Sequence, residues 1–314
     1  MEHLASKRKL WFTISLILII PGLISLLLFG LKLGIDFTGG TLWEVRFNQP
    51  TTTQQVEDVF RTAGYDQVVV QQTGAIEDQS YLIRVPEIRE GSPEKAILAE
   101  RLTSEIGAYT ELGFSSVGGA VSTQIRSRAI IAVAVASAGI LLYMAYAFRN
   151  TQNPLLYGSS ALVAMLHDVV IVLGIFSILG VVFDVRVDAL FITALLTVIG
   201  FSVHDTIVVF DRIRENLALS PNDSFESVVD HSLAQTVVRS LNTSMTVIFT
   251  LLALVLFGGG STRVFVLALL IGTISGTFSS IFNASQLLVA WENGEIQAFF
   301  RRLTRRPAPQ PAQS

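Results

Sequence analysis

Six stretches of twenty or more mostly apolar residues, at about 10–31, 129–148, 155–183, 189–210, 236–257 and 264–290, constrain this chain more than any other feature. Runs of that length match the hydrocarbon core of a bilayer, where only a helix or a closed barrel satisfies the backbone internally. With 51% of its 314 residues hydrophobic and 15% charged, the chain reads as a polytopic α-helical membrane protein with six transmembrane helices. Lys7, Arg8 and Lys9 precede the first run in the layout of a secretory signal. That run is too long for one and lacks an A-x-A-like exit, so it reads as a retained helix. Arg149, Arg212, Arg214, Arg301, Arg302, Arg305 and Arg306 fall on the same side of the membrane as the start of the chain, and only Arg186 and Arg263 fall in the short loops opposite. The positive-inside rule then puts both termini in the cytoplasm of a multi-pass inner-membrane protein. Residues 1–9 are the cytoplasmic N-terminus, and 299–314 form a basic tail, proline-rich from Pro307 and expected to be disordered.

Between the first two helices, residues 32–128 read as an extracytoplasmic domain and connector. Alternating Trp43, Val45 and Phe47 predict a strand, and Val56, Val59, Phe60 and Ala63 share a helix face. Gln67 to Gln72 and Tyr81 to Val85 predict a pair of strands. Ser92-Pro93-Glu94 is a helix start with Ser as N-cap, followed by Leu98, Leu102 and Ile106 on one face; Thr110 to Val117 is a last strand. The order βαββαβ is that of a ferredoxin-like split unit.

The helical remainder, 129–298, carries few ionisable groups. The fourth run holds His204-Asp205, and a carboxyl group in hydrocarbon costs at least ~2.5 kcal/mol on insertion scales, so a partner within the membrane is expected. Arg239 is the candidate, opening a helical face shared with Thr243, Thr246 and Thr250. A second pair, His167-Asp168, lies inside the third run, and the two carboxyl groups are staggered in depth. A metal site fits poorly, because adjacent helical residues point about 100° apart. An aspartyl protease pairing Asp168 with Asp205 is disfavoured by the nearby cation, and a buried Asp205–Arg239 pair that only fixes helix register is the structural alternative. Gly272 and Gly276 with Thr277, Ser279 and Ser280 read as a packing face, and Gly258-Gly259-Gly260 as a turn. Asp36, Gly39 and Gly40, just past the first helix, read as a structural turn motif whose Asp caps backbone donors. No cysteine is present, no phosphate-binding loop follows a strand, and nothing suggests nucleic acid; no cofactor, metal or enzymatic activity is expected.

Several of these stretches coincide with those of a known family. Gly34-Ile35-Asp36-Phe37-Thr38-Gly39-Gly40, Ala164-Met165-Leu166-His167-Asp168, Thr197 to Gly200 with Asp205 to Asn216, Arg239 to Ser244, and Gly276 to Ile281 together resemble the SecF family, the smaller subunits of the SecDF accessory complex of bacterial protein export within the resistance-nodulation-division superfamily. The resemblance implies a subunit that uses the proton-motive force, with SecD and the SecYEG translocon, to promote preprotein translocation across the cytoplasmic membrane. It also implies that Asp205 and Arg239 serve proton passage; Asp168, staggered in depth from Asp205, and the adjacent His204 are further relay candidates on the residues alone. His204 stands where the family usually has Asn, and Val117-Gly118-Gly119 where it usually has Val-Gly-Pro. Six helices with one polar cluster look like half of a two-part transporter, so a SecD partner or a second copy is expected. The alternatives are an ion-coupled small-molecule exporter of the same superfamily and a passive scaffold of the translocon.

Overall fold

The computed structural model of the protein describes residues 5–73, 78–149, 151, 153–259 and 262–298. The basic tail at 299–314 and Gly260 of the glycine turn lie outside the described residues. Two compact units emerge: an α/β unit made of Leu33–Ala132 with Arg186–Ala189, and a helical unit made of the rest.

α1 (Arg8–Phe29) is the first membrane-length helix. The α/β unit follows it in sequence, opening with the single turn α2 (Ile35–Thr38) and then β1 (Gly40–Phe47). In β1, Trp43, Val45 and Phe47 are buried while Glu44 and Arg46 are not, the alternation of a half-covered strand. α3 (Thr53–Thr62) buries Val56, Val59 and Phe60, and it starts at a capping box in which Thr52 and Gln55 satisfy each other's backbone amides. β2 (Val69–Thr73) and β3 (Ser80–Val85) pair antiparallel, and α4 (Pro93–Arg101) begins at Ser92, whose hydroxyl accepts from the Lys95 amide. The predicted helix through Ile106 changes character at Leu102, where a π turn (Leu102–Ile106) takes over before β4 (Tyr109–Val117). The sheet order is β2-β3-β1-β4, all antiparallel, which is the split βαββαβ arrangement. Its core joins Trp43, Phe60, Tyr81, Ile83, Leu98 and Leu102.

Glycines matter at the entrance to this unit. Gly39 and Gly40 have φ of 75° and 119°, outside the range L side chains favour, and a Cβ on Gly40 would lie 2.9 Å from the Val85 carbonyl. Gly34 donates to the Val187 carbonyl (2.8 Å), and Leu33 forms a parallel bridge with Val187.

The remaining helices are α5 (Gly119–Ala147), α6 (Pro154–Phe183), α7 (Ala189–Leu219), α8 (Phe225–Phe257), α9 (Arg263–Ser279) and α10 (Ser285–Glu292), the last two joined by a π turn at Ser280–Ala284. Counting α9 to α10 as one rod, the described residues form six helices long and apolar enough to cross a membrane. Three boundaries differ from the expected spans. α5 starts at Gly119 rather than 129, α7 runs to Leu219 rather than 210, and α8 starts at Phe225 rather than 236. Hydropathy marks only the apolar part of a helix, and these extensions are polar: Asn216 donates to Ser232 and Gln235 to bind the α7 extension to that of α8.

α6 is the helix around which the helical unit is packed. Gly22 of α1 and Gly174 of α6 meet backbone to backbone, since a Cβ on either would lie 2.7–2.8 Å from the other's Cα. Beside them Ser25 and Ser177 share a hydrogen bond of 2.8 Å. α9 approaches α7 through Gly272, where a Cβ would overlap Val198, and through Gly276, packed on Ser202. The small-residue face expected on the last helix is therefore present.

Candidate functional site

Asp168 sits on the inner face of α6 with 1% of its surface exposed. A lone carboxyl group in that position would be prohibitively costly, and its oxygens are accordingly saturated with donors. Oδ1 accepts from Ser275 (2.7 Å) and from His167 Nδ1 (3.0 Å); Oδ2 accepts from Ser202 (2.5 Å) and Ser279 (2.6 Å). Ser275 and Ser279 stand four residues apart on α9 and so share a face, and Ser202 comes from α7. Accepting in all four contacts is the pattern an ionised carboxylate takes.

The network extends outward from the carboxyl group. Asn283, in the π turn, has its Oδ1 accepting from Ser15 of α1 (2.8 Å), which turns its Nδ2 toward His167 Nε2 (3.0 Å). The His167 ring then carries its proton on Nδ1 and gives it to Asp168, as a neutral tautomer oriented by Asn283. On another side Thr206 of α7 donates to Ser280 (3.3 Å), and Thr277 of α9 donates to Ser244 of α8 (2.7 Å).

Asp205 lies one turn along α7 from Ser202, about 4.5 Å by helical rise. It is 5% exposed, yet its Oδ2 is buried with no hydrogen-bond partner. Ser160, Ser240 and both polar atoms of Gln286 are likewise buried without partners. The expected Asp205–Arg239 pair is absent from the described contacts, and the reason is helix rotation. α8 turns Thr236, Val237, Ser240 and Ser244 into the bundle, so Arg239, about 100° round from Ser240, is exposed together with Asn242, Thr243 and Thr246. Asp205 shares the buried face of α7 with Ser202 and Val209. The neighbouring His204 is exposed for the same reason, on a stripe with Thr193, Thr197 and Gly200.

The protease alternative loses its geometry here, because both oxygens of Asp168 are taken by hydroxyl and imidazole donors rather than by Asp205. Reading Ser279 of the last helix as packing alone is also corrected: it holds Asp168, together with Ser275. Sequence reasoning passed over Ser15, Ser202, Ser275 and Asn283. The available signal was an i, i+4, i+8 series of polar residues, Ser275, Ser279 and Asn283, inside a membrane-length run. Asp36, in the glycine motif, belongs to the α/β unit, where its Oδ2 accepts from the Ala189 amide (2.8 Å) at the start of α7. It acts there as a cap on an unpaired helix donor.

Among the described residues, six membrane-length helices, one split α/β unit, a carboxyl group held by hydroxyls and a second one buried on α7 define a polytopic membrane protein with an ionisable site inside its bundle. The family described as protein export membrane protein SecD/SecF, C-terminal, matches residues 98–294, and the SecD/SecF GG motif matches residues 24–51. The chain is similar to the protein translocase subunit SecF of Thermobaculum terrenum, 57% identical over 94% of this chain and 95% of that protein. It is also similar to that of Anaerolinea thermophila, 44% identical over 96% and 98%. Among solved structures, that of SecDF, a translocon-associated membrane protein from Thermus thermophilus, superposes with a TM-score of 0.79 at 32% identity, over 93% of this chain and 38% of that one. The chain belongs to the SecD/SecF family of protein-export membrane proteins.

Proposed function

We propose that this chain works as the SecF-type subunit of a bacterial protein translocase, coupling proton movement through its helical unit to preprotein export. The role in protein export is supported by its relatives, which are named protein translocase subunits. Proton coupling is carried by one observation: Asp205 keeps a buried carboxyl oxygen without a donor, one helical turn along α7 from Ser202, which donates to the saturated carboxylate of Asp168. A group in that state binds a proton or finds a cation from outside the chain. Asp205 is the exchanging group, Asp168 the charged reference beside it, and Arg239 and His204 serve from the exposed faces of α8 and α7. Those faces fit a second membrane subunit. The solved SecDF chain is more than twice as long as the region this chain matches, which favours SecD as that partner and the SecYEG channel as the complex they serve. The protein then lies in the cytoplasmic membrane with both termini inside, and the α/β unit works outside on the emerging preprotein. Proton entry at Asp205 changes what α7 and α8 pack against. Each charge crossing the field supplies ~2.3 kcal/mol per 100 mV, enough to bias a two-state element more than tenfold.

Preprotein translocation into inverted membrane vesicles tests this. Vesicles holding the chain with its SecD partner should show stimulation that an uncoupler removes. Stimulation indifferent to the uncoupler would favour the passive scaffold, and no stimulation of preprotein transport would favour an exporter of small molecules.

A further inference from the structure

A proton-binding site drives translocation only if its state reaches a part of the molecule that moves, and the network around Asp168 leads toward one helix in particular. From Asp168 Oδ1 the path runs to His167 (3.0 Å), to Asn283 (3.0 Å) and to Ser15 of α1 (2.8 Å), with all four side chains buried. α1 is otherwise mostly apolar on its membrane faces, and four residues beyond its end the α/β unit begins. An aromatic layer follows the same route: Trp11 of α1 packs on Phe282 (4.2 Å between centroids) and Phe278, and Phe278 stacks on the His167 ring.

The π turn at Ser280–Ala284 makes this path possible. In a regular α-helix each step of four residues advances the side chain by about 40°, so Asn283 would stand about 80° round from Ser275. A π turn takes up an extra residue and brings Asn283 back nearly beneath Ser279. Ser275 and Ser279 then face Asp168 while Asn283 faces His167.

We infer that Asn283 and Ser15 transmit the state of the Asp168 site to α1, the helix that leads into the α/β unit. The inference rests on the proton-coupled reading above for its trigger, though not for its wiring. The groups facing Asp168 are His167 from its own helix, Ser202 from α7, and Ser275 and Ser279 from α9; among the described contacts, α1 connects to it through Ser15 and Trp11, and α8 connects to α9 through Ser244 on Thr277. When proton entry at Asp205 shifts α7, Ser202, one turn away, is drawn off the Asp168 carboxylate; the carboxylate then reorients, His167 Nδ1 loses its place on it, and Asn283 no longer holds Ser15. α1 can then tilt about its remaining contact with α6 at Gly22–Gly174 and the Ser25–Ser177 hydrogen bond.

Two measurements test the wiring. In proteoliposomes containing the chain with its SecD partner, Ser15→Ala and Asn283→Ala should leave proton flux, followed with an internal pH dye, close to that of the unaltered chain. In translocation vesicles the same variants should lower preprotein stimulation about fivefold, the worth of one buried hydrogen bond. Ser15→Thr, which keeps the hydroxyl, should restore it. Full stimulation in both variants would overturn the inference, as would flux and stimulation falling together, since Ser15 and Asn283 would then belong to the proton path itself. The second measurement stands even if the chain carries no protons. Spin labels on Leu27→Cys of α1 and Val182→Cys of α6, both exposed, should give a broadened distance distribution in Asp168→Asn and the same broadening in Asn283→Ala, which leaves the carboxyl group in place. A distribution unchanged in Asn283→Ala contradicts the transmission whatever the flux does.

Discussion

Asp168 and Asp205 are both buried carboxyl groups in a membrane bundle, but their surroundings assign them opposite work. Asp168 is held by four donors from three sources, so exchanging it for an amide turns an acceptor into a donor against hydroxyls already committed. Asp168→Asn should lower the stability of the detergent-solubilised protein by on the order of 3 kcal/mol, read from thermal unfolding, because hydrogen bonds to a charged group are the stronger kind. Asp205→Asn should change that stability little, since its Oδ2 has no partner to lose. The sequence points to Asp205 through its motif and through the cost of a carboxyl group in hydrocarbon. It points less clearly to Asp168 as the hub, because three of its donors are serines, and Ser279 beside Gly272 and Gly276 reads equally well as part of a packing face. Only the approach of α7 and α9 to α6 separates the two readings.

Helix contacts explain which elements were legible and which were not. Strands β1 to β4 and the starts of α3 and α4 follow from local pattern and caps, and they stand within a few residues of expectation. The π turn at Ser280–Ala284 has no such local signature; it reflects a register that α9 must keep against α6 and α7 at once. The polar ends of α7 and α8 were missed because hydropathy stops at the membrane boundary, whereas the helices continue while Asn216, Ser232 and Gln235 bind one another. The backbone contact of two helices at Gly22 and Gly174 makes a prediction at this scale. Gly174→Ala should force α1 and α6 apart and cost about 1–3 kcal/mol, the usual penalty for overpacking. Gly158→Ala, on the same helix with open space around it, serves as the control and should stabilise slightly or do nothing in the same unfolding measurement.

At the scale of the whole molecule, the exposed polar stripes of α7 (Thr193, Thr197, Gly200, His204) and α8 (Arg239, Asn242, Thr243, Thr246) decide what the chain needs from others. Arg239 in hydrocarbon without a counter-charge is unfavourable by several kcal/mol, and the chain's own Asp205 faces elsewhere. Composition and motif order made the family and the six-helix plan legible; the side of α8 on which Arg239 stands was not, because it depends on helix rotation. The chain has no cysteine, so single cysteines at Thr197 and Thr246 can be cross-linked without background. They should capture a SecD-type subunit in native membranes, while one at the apolar, exposed Leu27 of α1 should not. The most direct test of the central claim is uncoupler-sensitive preprotein translocation in vesicles carrying Asp205→Asn. Loss of the uncoupler-sensitive stimulation, with membrane insertion and partner capture intact, is the result predicted; full uncoupler-sensitive stimulation in that variant would contradict the account.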